Sequence, residues 1–355
     1  MERAKESKRI GFFPDYRLTN DYQSMLYSEQ SGSSWEAEPL VTPFNLDPSI
    51  DAIHFHWQNA IWPENSTDRE QLLHSDFESL FRYKDSSNKS IKTIWTVHNA
   101  MPHETFDIQG EIALMQKMSC ESDVIHLLSK ESLQELGKYI EIDPNKVIIV
   151  PHSSYFGFSK TVSDSAKVRA DMGIADSALV LGFAGMIRPY KNLPLLLEVF
   201  QELRREFEDL VLVVAGINLD PAVASKILEI SIEYPGTIYI DKFLSKADFA
   251  KVSSVIQIAC YPYSQVLNSG SIYSSFTFGH HVVAPNHPGL QSLKELPFVS
   301  FFENNDASDL SRILRELIEF GLYRGSPAKA LLWAKENDPS TMSRQFFQAI
   351  DSKLT

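Results

Sequence analysis

Apolar residues in this chain gather into short runs separated by longer stretches of helical period. Arg9–Pro14, Ala52–His56, Lys92–Val97, Asp123–Leu128 and Val147–Val150 are too short for helices and read as buried strands. Between them, the spacing at 67–83 puts Leu72, Leu73, Phe77, Leu80 and Phe81 on one helical face. Further helices are predicted over 21–30, over 104–119, and after Ser129, where Leu133 and Leu136 repeat. A mixed stretch of small, polar and charged residues at 152–176 interrupts the pattern, which then restarts. Strands are predicted at 179–184, 210–215, 237–240, 255–259 and 281–284. A helix starting near Lys191 carries Leu195, Leu196, Leu197, Val199 and Phe200, and a helical tail from about 306 breaks near Gly325 and Pro339. Strands that alternate with helices form parallel sheets covered on both faces. The predicted fold is therefore α/β, two doubly wound Rossmann-like domains facing across a cleft. The first spans 1–157, the linker 158–176 and the second 177–338, with 339–355 as a terminal helix. In open sheets of this kind ligands bind beyond the carboxyl ends of the strands.

Composition narrows the partners. Apolar residues at 43% and charged residues at 22% are ordinary for a globular chain with two cores. A net charge of −13 argues against nucleic acid, which needs a basic surface. Cys120 and Cys260 lack metal-ligand spacing and read as buried, reduced thiols of a cytoplasmic protein. No signal-like apolar region follows the charged first residues, and no run is long enough to span a membrane.

Four strand-end segments carry candidate chemistry. In Gly185–Asn192, Arg188 and Lys191 stand between a buried strand and an amphipathic helix, where free amides and two cations would hold a diphosphate; the alternative is a surface turn with two solvated cations. In Pro262–Ser271, Asn268, Ser269, Gly270 and Ser271 offer small residues and a cap at a second helix start, which would admit a phosphate or simply cap the helix. The two His-rich strand ends, His54-Phe-His56-Trp57 and Trp95-Thr-Val-His98, offer no third metal ligand, so no metal site is assigned. His54 and His56 share one side of their strand and read as structural. His98 reads as exposed on a loop, able to meet a sugar hydroxyl or a phosphate. The loop Pro14–Gln23, with Asp15, Arg17, Asn20 and Tyr22, suits carbohydrate or is a plain polar loop. Glu104 is a candidate base or a first-turn helix acid. No Walker A loop, nucleophile elbow or Gly-x-Gly-x-x-Gly is present, which removes the main support for ATPase, hydrolase and dinucleotide oxidoreductase readings.

The run Phe183–Phe200 and the segment from Cys260 to Pro285, with its Ser-Gly-Ser and Phe-Gly-His-His-Val-Val-Ala-Pro, resemble the donor-site motifs of GT-B glycosyltransferases, near the large retaining family numbered four. Thr96–Asn99 is similar to the place where that family sets a histidine near the donor sugar. The resemblance implies transfer of a glycosyl group from a UDP- or GDP-sugar to a hydroxyl of a saccharide or lipid-linked saccharide, with no metal and no cofactor. Arg188 and Lys191 would neutralise the leaving diphosphate with help from Ser269, Gly270 and Ser271. His98 would touch the donor sugar, and Phe243 and Leu244 would hold the base. Asp15, Asp21, Glu104 and Asp107 are the base candidates for an inverting reaction. The terminal helix would cross back to the first domain, and that domain would receive the acceptor, with peripheral contact at the inner face of the membrane. The chain departs from the family at two points. The usual glutamate pair is replaced by Val266 and Ser274, and the usual arginine after the glycine is Met186. Those departures keep two alternatives in view: a sugar-nucleotide epimerase on the same fold, and a non-catalytic binding subunit.

Overall fold

The computed structural model describes residues 7–43, 47–57, 91–101, 107–160, 162, 164–234 and 236–354. It divides into unit 1, Met1–Ser153 with Pro339–Thr355, and unit 2, Ser154–Asp338.

In unit 1 the strands are β1 (Lys8–Phe13), β2 (Trp35–Pro39), β3 (Ala52–Phe55), β4 (Lys92–Thr96), β5 (Val124–Leu127) and β6 (Val147–Ile149). They form a parallel sheet in the order β2-β1-β3-β4-β5-β6. The order reverses between β1 and β3, so the loops after those strands diverge and leave a crevice. Helices α1 (Tyr22–Leu26), α2 (Ile108–Glu121) and α3 (Glu131–Leu136) belong to this unit. Asp107 caps α2 by accepting the Gly110 amide at 2.8 Å, and Leu114, Met115 and Met118 bury its inner face. The helix predicted at 67–83 lies outside the described residues. The helix predicted over 21–30 is one short turn of α1, because Tyr27 turns inward to meet two histidines.

Unit 2 holds β7 (Leu179–Ala184), β8 (Leu210–Ala215), β9 (Thr237–Ile240), β10 (Ile258–Cys260), β11 (His281–Pro285) and β12 (Val299–Phe302). Its parallel order is β12-β11-β10-β7-β8-β9, reversing between β7 and β10. Its helices are α4 (Ser165–Asp171), α5 (Leu193–Glu206), α6 (Pro221–Glu233), α7 (Lys246–Val255), α8 (Gly270–Thr277), α9 (Ala307–Glu319) and α10 (Ser326–Glu336). Helix α4 occupies the stretch read as a linker, with Asp164 as its cap. Val255 and Ile256, read as strand, end α7 instead, because Ser245 accepts the Asp248 amide and starts that helix ten residues earlier. Cys120 is exposed, whereas Cys260 is buried as expected.

The last helix, α11 (Pro339–Leu354), packs in unit 1. Its inner face buries Met342, Phe346, Phe347 and Ile350. Asp351 accepts from the Trp35 indole at 2.7 Å and from the Ser34 hydroxyl at 2.8 Å, and Ser343 accepts the Glu29 amide at 2.9 Å. Among the described residues no helix is long and apolar enough to cross a membrane.

Candidate functional site

The loops after β7 and β10 flank the reversal of the unit 2 sheet, and they are tied together. Tyr190 offers its carbonyl to both the amide (2.9 Å) and the hydroxyl (3.1 Å) of Ser264. The loop after β7 is pinned on its other side, where Ile187 donates to the Ile217 carbonyl at 2.8 Å and Leu219 donates back to Ile187 at 3.0 Å. This approach depends on Gly216, whose φ is +145°. A Cβ there would lie 1.9 Å from the Gly185 carbonyl oxygen.

Lys191 sits in a 3-10 turn, Pro189–Lys191, that precedes α5. Its side chain turns inward, only 8% of the residue is accessible, and its ammonium lies within 6 Å of the ring centres of Phe183, Tyr190 and Tyr263. Among the described residues no carboxylate or hydrogen-bond acceptor engages it. Burial, with a smaller push from Arg188, lowers its pKa to about 8. A Cβ built on Gly185 would stand 3.6 Å from the Lys191 Nζ and 3.2 Å from the Ser271 Oγ, so both groups border the same small space. The segment around α8 thus converges on Lys191. The Ser269 hydroxyl donates to Tyr263 at 3.3 Å, and the amides of Ser269, Gly270 and Ser271 donate to no carbonyl among the described residues. The start of α5 differs from expectation. The Lys191 and Asn192 amides already donate to Arg188 and Pro189, so an anion there meets side chains rather than free backbone. Arg188 is half-buried and leans its guanidinium on the Met186 sulfur at 3.1 Å.

The remaining predicted residues are dispersed. Phe243 is 59% exposed beyond β9, at the edge of the sheet, while Leu244 packs partly on the core. Asn268 is half-buried before α8. Val266 and Ser274, at the positions of the family's glutamates, are both buried, so a carboxylate at either place would be desolvated.

In unit 1, the loops after β1 and β3 flank the other reversal. Asp15 forms a two-pronged pair with Arg17 at 2.8 and 2.9 Å, which holds its carboxyl below the usual range and makes it a weak base. Asp107 is spent as a cap, and Glu104 lies outside the described residues. His98 is not the exposed loop residue expected. It is 7% accessible, stacks on Trp57 with centroids 4.0 Å apart and planes at 9°, and meets the edge of Tyr22. The apolar ends of β3 and β4 pull it in. His54, His56, His126 and His152 are buried beside it, and burial holds every one of these imidazoles neutral; His126 and His152 fall to about 4. Tyr27, Thr96 and His126, which complete this cluster, were not singled out from sequence. The register that pairs Thr96 with His126 across β4 and β5 is the signal that would have found them. Among the described residues no group of three or more potential ligands is arranged to hold a metal.

Two six-stranded parallel sheets, each reversing once, with anion- and hydroxyl-seeking groups at the reversals, define the GT-B architecture. HepE of Anabaena, solved with UDP and glucose, superposes with a TM-score of 0.73 at 12% identity, covering 98% of this chain and 100% of that one. Sucrose-phosphate synthase from Thermosynechococcus elongatus superposes with a TM-score of 0.72 at 12% identity, covering 97% and 98%. At such identities the likeness establishes the fold. In sequence, 127 residues are 28% identical to a D-inositol 3-phosphate glycosyltransferase of Segniliparus rotundus, which is 36% of this chain and 27% of that protein. No family model matches.

Proposed function

We propose that the chain is a glycosyltransferase that takes a sugar from a UDP- or GDP-sugar and passes it to a hydroxyl of a saccharide or lipid-linked saccharide. The observation that carries this reading is the buried ammonium of Lys191 beside the Ser271 hydroxyl and the amides of Ser269–Ser271, none of which has a counter-charge or carbonyl partner among the described residues. A buried cation without an anion is costly unless a ligand supplies one. A diphosphate fits, because its oxygens accept from an ammonium, a hydroxyl and three amides at once. As the bond from the sugar to the diphosphate breaks, negative charge grows on the leaving oxygen, and fixed donors stabilise that growth without reorganising. Arg188 adds a second positive charge at the rim. The residues present supply this neutralisation themselves, so the reading calls for no metal and no cofactor. In unit 1, the ring faces of Trp57 and Tyr16 and the polar edge of His98 provide the carbohydrate-binding surface.

The test is a thermal-shift screen with UDP, GDP and their sugars, followed by assay of nucleotide release with a lipid-extract acceptor. Binding to the native state should raise the melting temperature. A rise with UDP or GDP that disappears in Lys191→Ala, together with acceptor-dependent release, is the expected result. Absence of any rise would refute the reading. Binding without release would make the chain a receptor, and an isomerised donor without release would make it an epimerase.

A further inference from the structure

The corner between α9 and α10 in unit 2 mixes cations with exposed apolar side chains. From Phe320 to Lys335 the sequence holds three basic residues, Arg324, Lys329 and Lys335, and no acidic one, in a chain of net charge −13. Glu319 and Glu336 bracket the stretch. On α9 the cations are neutralised, since Arg312 pairs with Asp309 and Glu316, and Arg315 with Glu202 and Glu206. The chain then turns at Gly321, whose φ is +61°. Beyond it, among the described residues, no carboxylate pairs with Arg324, Lys329 or Lys335.

Among these cations Phe320 is 71% exposed, Leu322 56% and Leu332 58%. Lys329, Leu332 and Lys335 follow at three-residue steps and line one side of α10, away from its buried Ser326, Ala330 and Ala334. Leu322 and Arg324 lie in the 3-10 turn Leu322–Gly325 that leads directly into that helix. Phe156 extends the surface, with its ring centre 5.8 Å from the Lys335 ammonium.

We propose that this corner of unit 2 is a docking surface for an anionic phospholipid bilayer, on which the protein rests without spanning it. Charge complementarity selects the occupant. Cations seek the headgroups, while aromatic and aliphatic side chains enter the boundary with the acyl chains, and long basic side chains reach back to the phosphates. A second copy is a poorer fit, because a two-fold contact would set three cations against the same three. The surface is separate from the contact expected of the first domain, and it does not rest on the glycosyltransferase reading.

The experiment is flotation of the full chain with phosphatidylcholine vesicles, and with vesicles of phosphatidylcholine and phosphatidylglycerol in equal parts. The protein should float with the second and not the first, and salt should weaken the association. Each cation removed should cost about fivefold in affinity, so the double variant Lys329→Gln, Lys335→Gln should bind about twentyfold more weakly. Phe320→Ser should lower affinity about tenfold at unchanged charge. These side chains are exposed, so both variants should melt with the native protein. Hydrogen exchange needs no variant: the mixed vesicles should slow it over 320–336 of the native chain. Absence of flotation, equal flotation with both lipids, or binding that survives both variants overturns the proposal. Protection confined to another part of the chain does the same. So does a dimer in vesicle-free solution that Phe320→Ser abolishes, which would assign the corner to a second copy.

Discussion

The two units place their polar groups at equivalent points of similar sheets but satisfy them in opposite ways. At the reversal of unit 1, neutral imidazoles and two hydroxyls hydrogen-bond one another in a chain that runs from His98 to the Val150 carbonyl. At the reversal of unit 2, one ammonium is buried among aromatic rings with no counter-charge among the described residues. A self-satisfied polar network rigidifies and orients. An uncompensated charge is strained without its ligand and gains most when the ligand arrives. Fold alone does not separate these roles; the state of each buried group does.

The largest expected effect concerns acid. The buried imidazoles bind protons far less readily in the folded state than in the unfolded chain, where the pKa is near 6.5. Above that pH both states are unprotonated and their contribution to stability is complete. As pH falls below it the unfolded state gains protons, and stability is lost down to about pH 4 for His126 and His152. Each such ring costs about 1.4 kcal/mol per pH unit across this window. Unit 1 buries His54, His56, His98, His126 and His152, against His280 and His281 in unit 2, so unit 1 should unfold first. Tryptophan fluorescence of Trp333→Phe, whose other tryptophans all lie in unit 1, should show its acid transition at higher pH than unit 2 probed separately by hydrogen exchange.

Next comes Lys191→Ala. Loss of a charged hydrogen-bonding group should weaken UDP or GDP binding and transfer at least tenfold, on the order of 1.5–3 kcal/mol. The apo protein should melt no lower, since a desolvated, unpartnered charge has been removed. Calorimetric titration and melting together separate the two effects. A smaller effect is alkaline. With its pKa at about 8, Lys191 is a cation below that pH and neutral above it, so nucleotide affinity should fall as pH rises through about 8. Lys191→Arg should push that limb upward, because a guanidinium stays charged. The smallest is Ser271→Ala, which removes one neutral donor beside Lys191. It should cost about 1 kcal/mol of UDP affinity, roughly fivefold.

Much of this was legible in the residue pattern. Strands β7, β8 and β9 match their predicted limits because each is a short apolar run closed by polar residues or glycine. Strand β2 was missed because Trp-Glu-Ala-Glu-Pro is an edge strand with one buried residue, and β12 because Val-Ser-Phe-Phe is too short to signal a period. Arg188, Lys191 and Ser269–Ser271 could be singled out as candidates because helix openings after buried strands are local features. The inward turn of Lys191 and the aromatic walls around it were not, since Phe183, Tyr190 and Tyr263 come from separate segments. His98 was misread for a related reason. Polar neighbours in sequence argued for exposure, while Trp57 and Tyr22, distant along the chain, cover it.

The placement of α11 has a consequence for biogenesis. Unit 2 is one uninterrupted stretch and can close as soon as it leaves the ribosome. Unit 1 cannot, because the ring of Phe346 that lies 5.2 Å from His54, and the carboxylate that receives the Trp35 indole, are translated after all of unit 2. The half made first is therefore the half finished last, and until translation reaches Asp351 its nascent sheet offers a bare aromatic face to whatever chaperone is near.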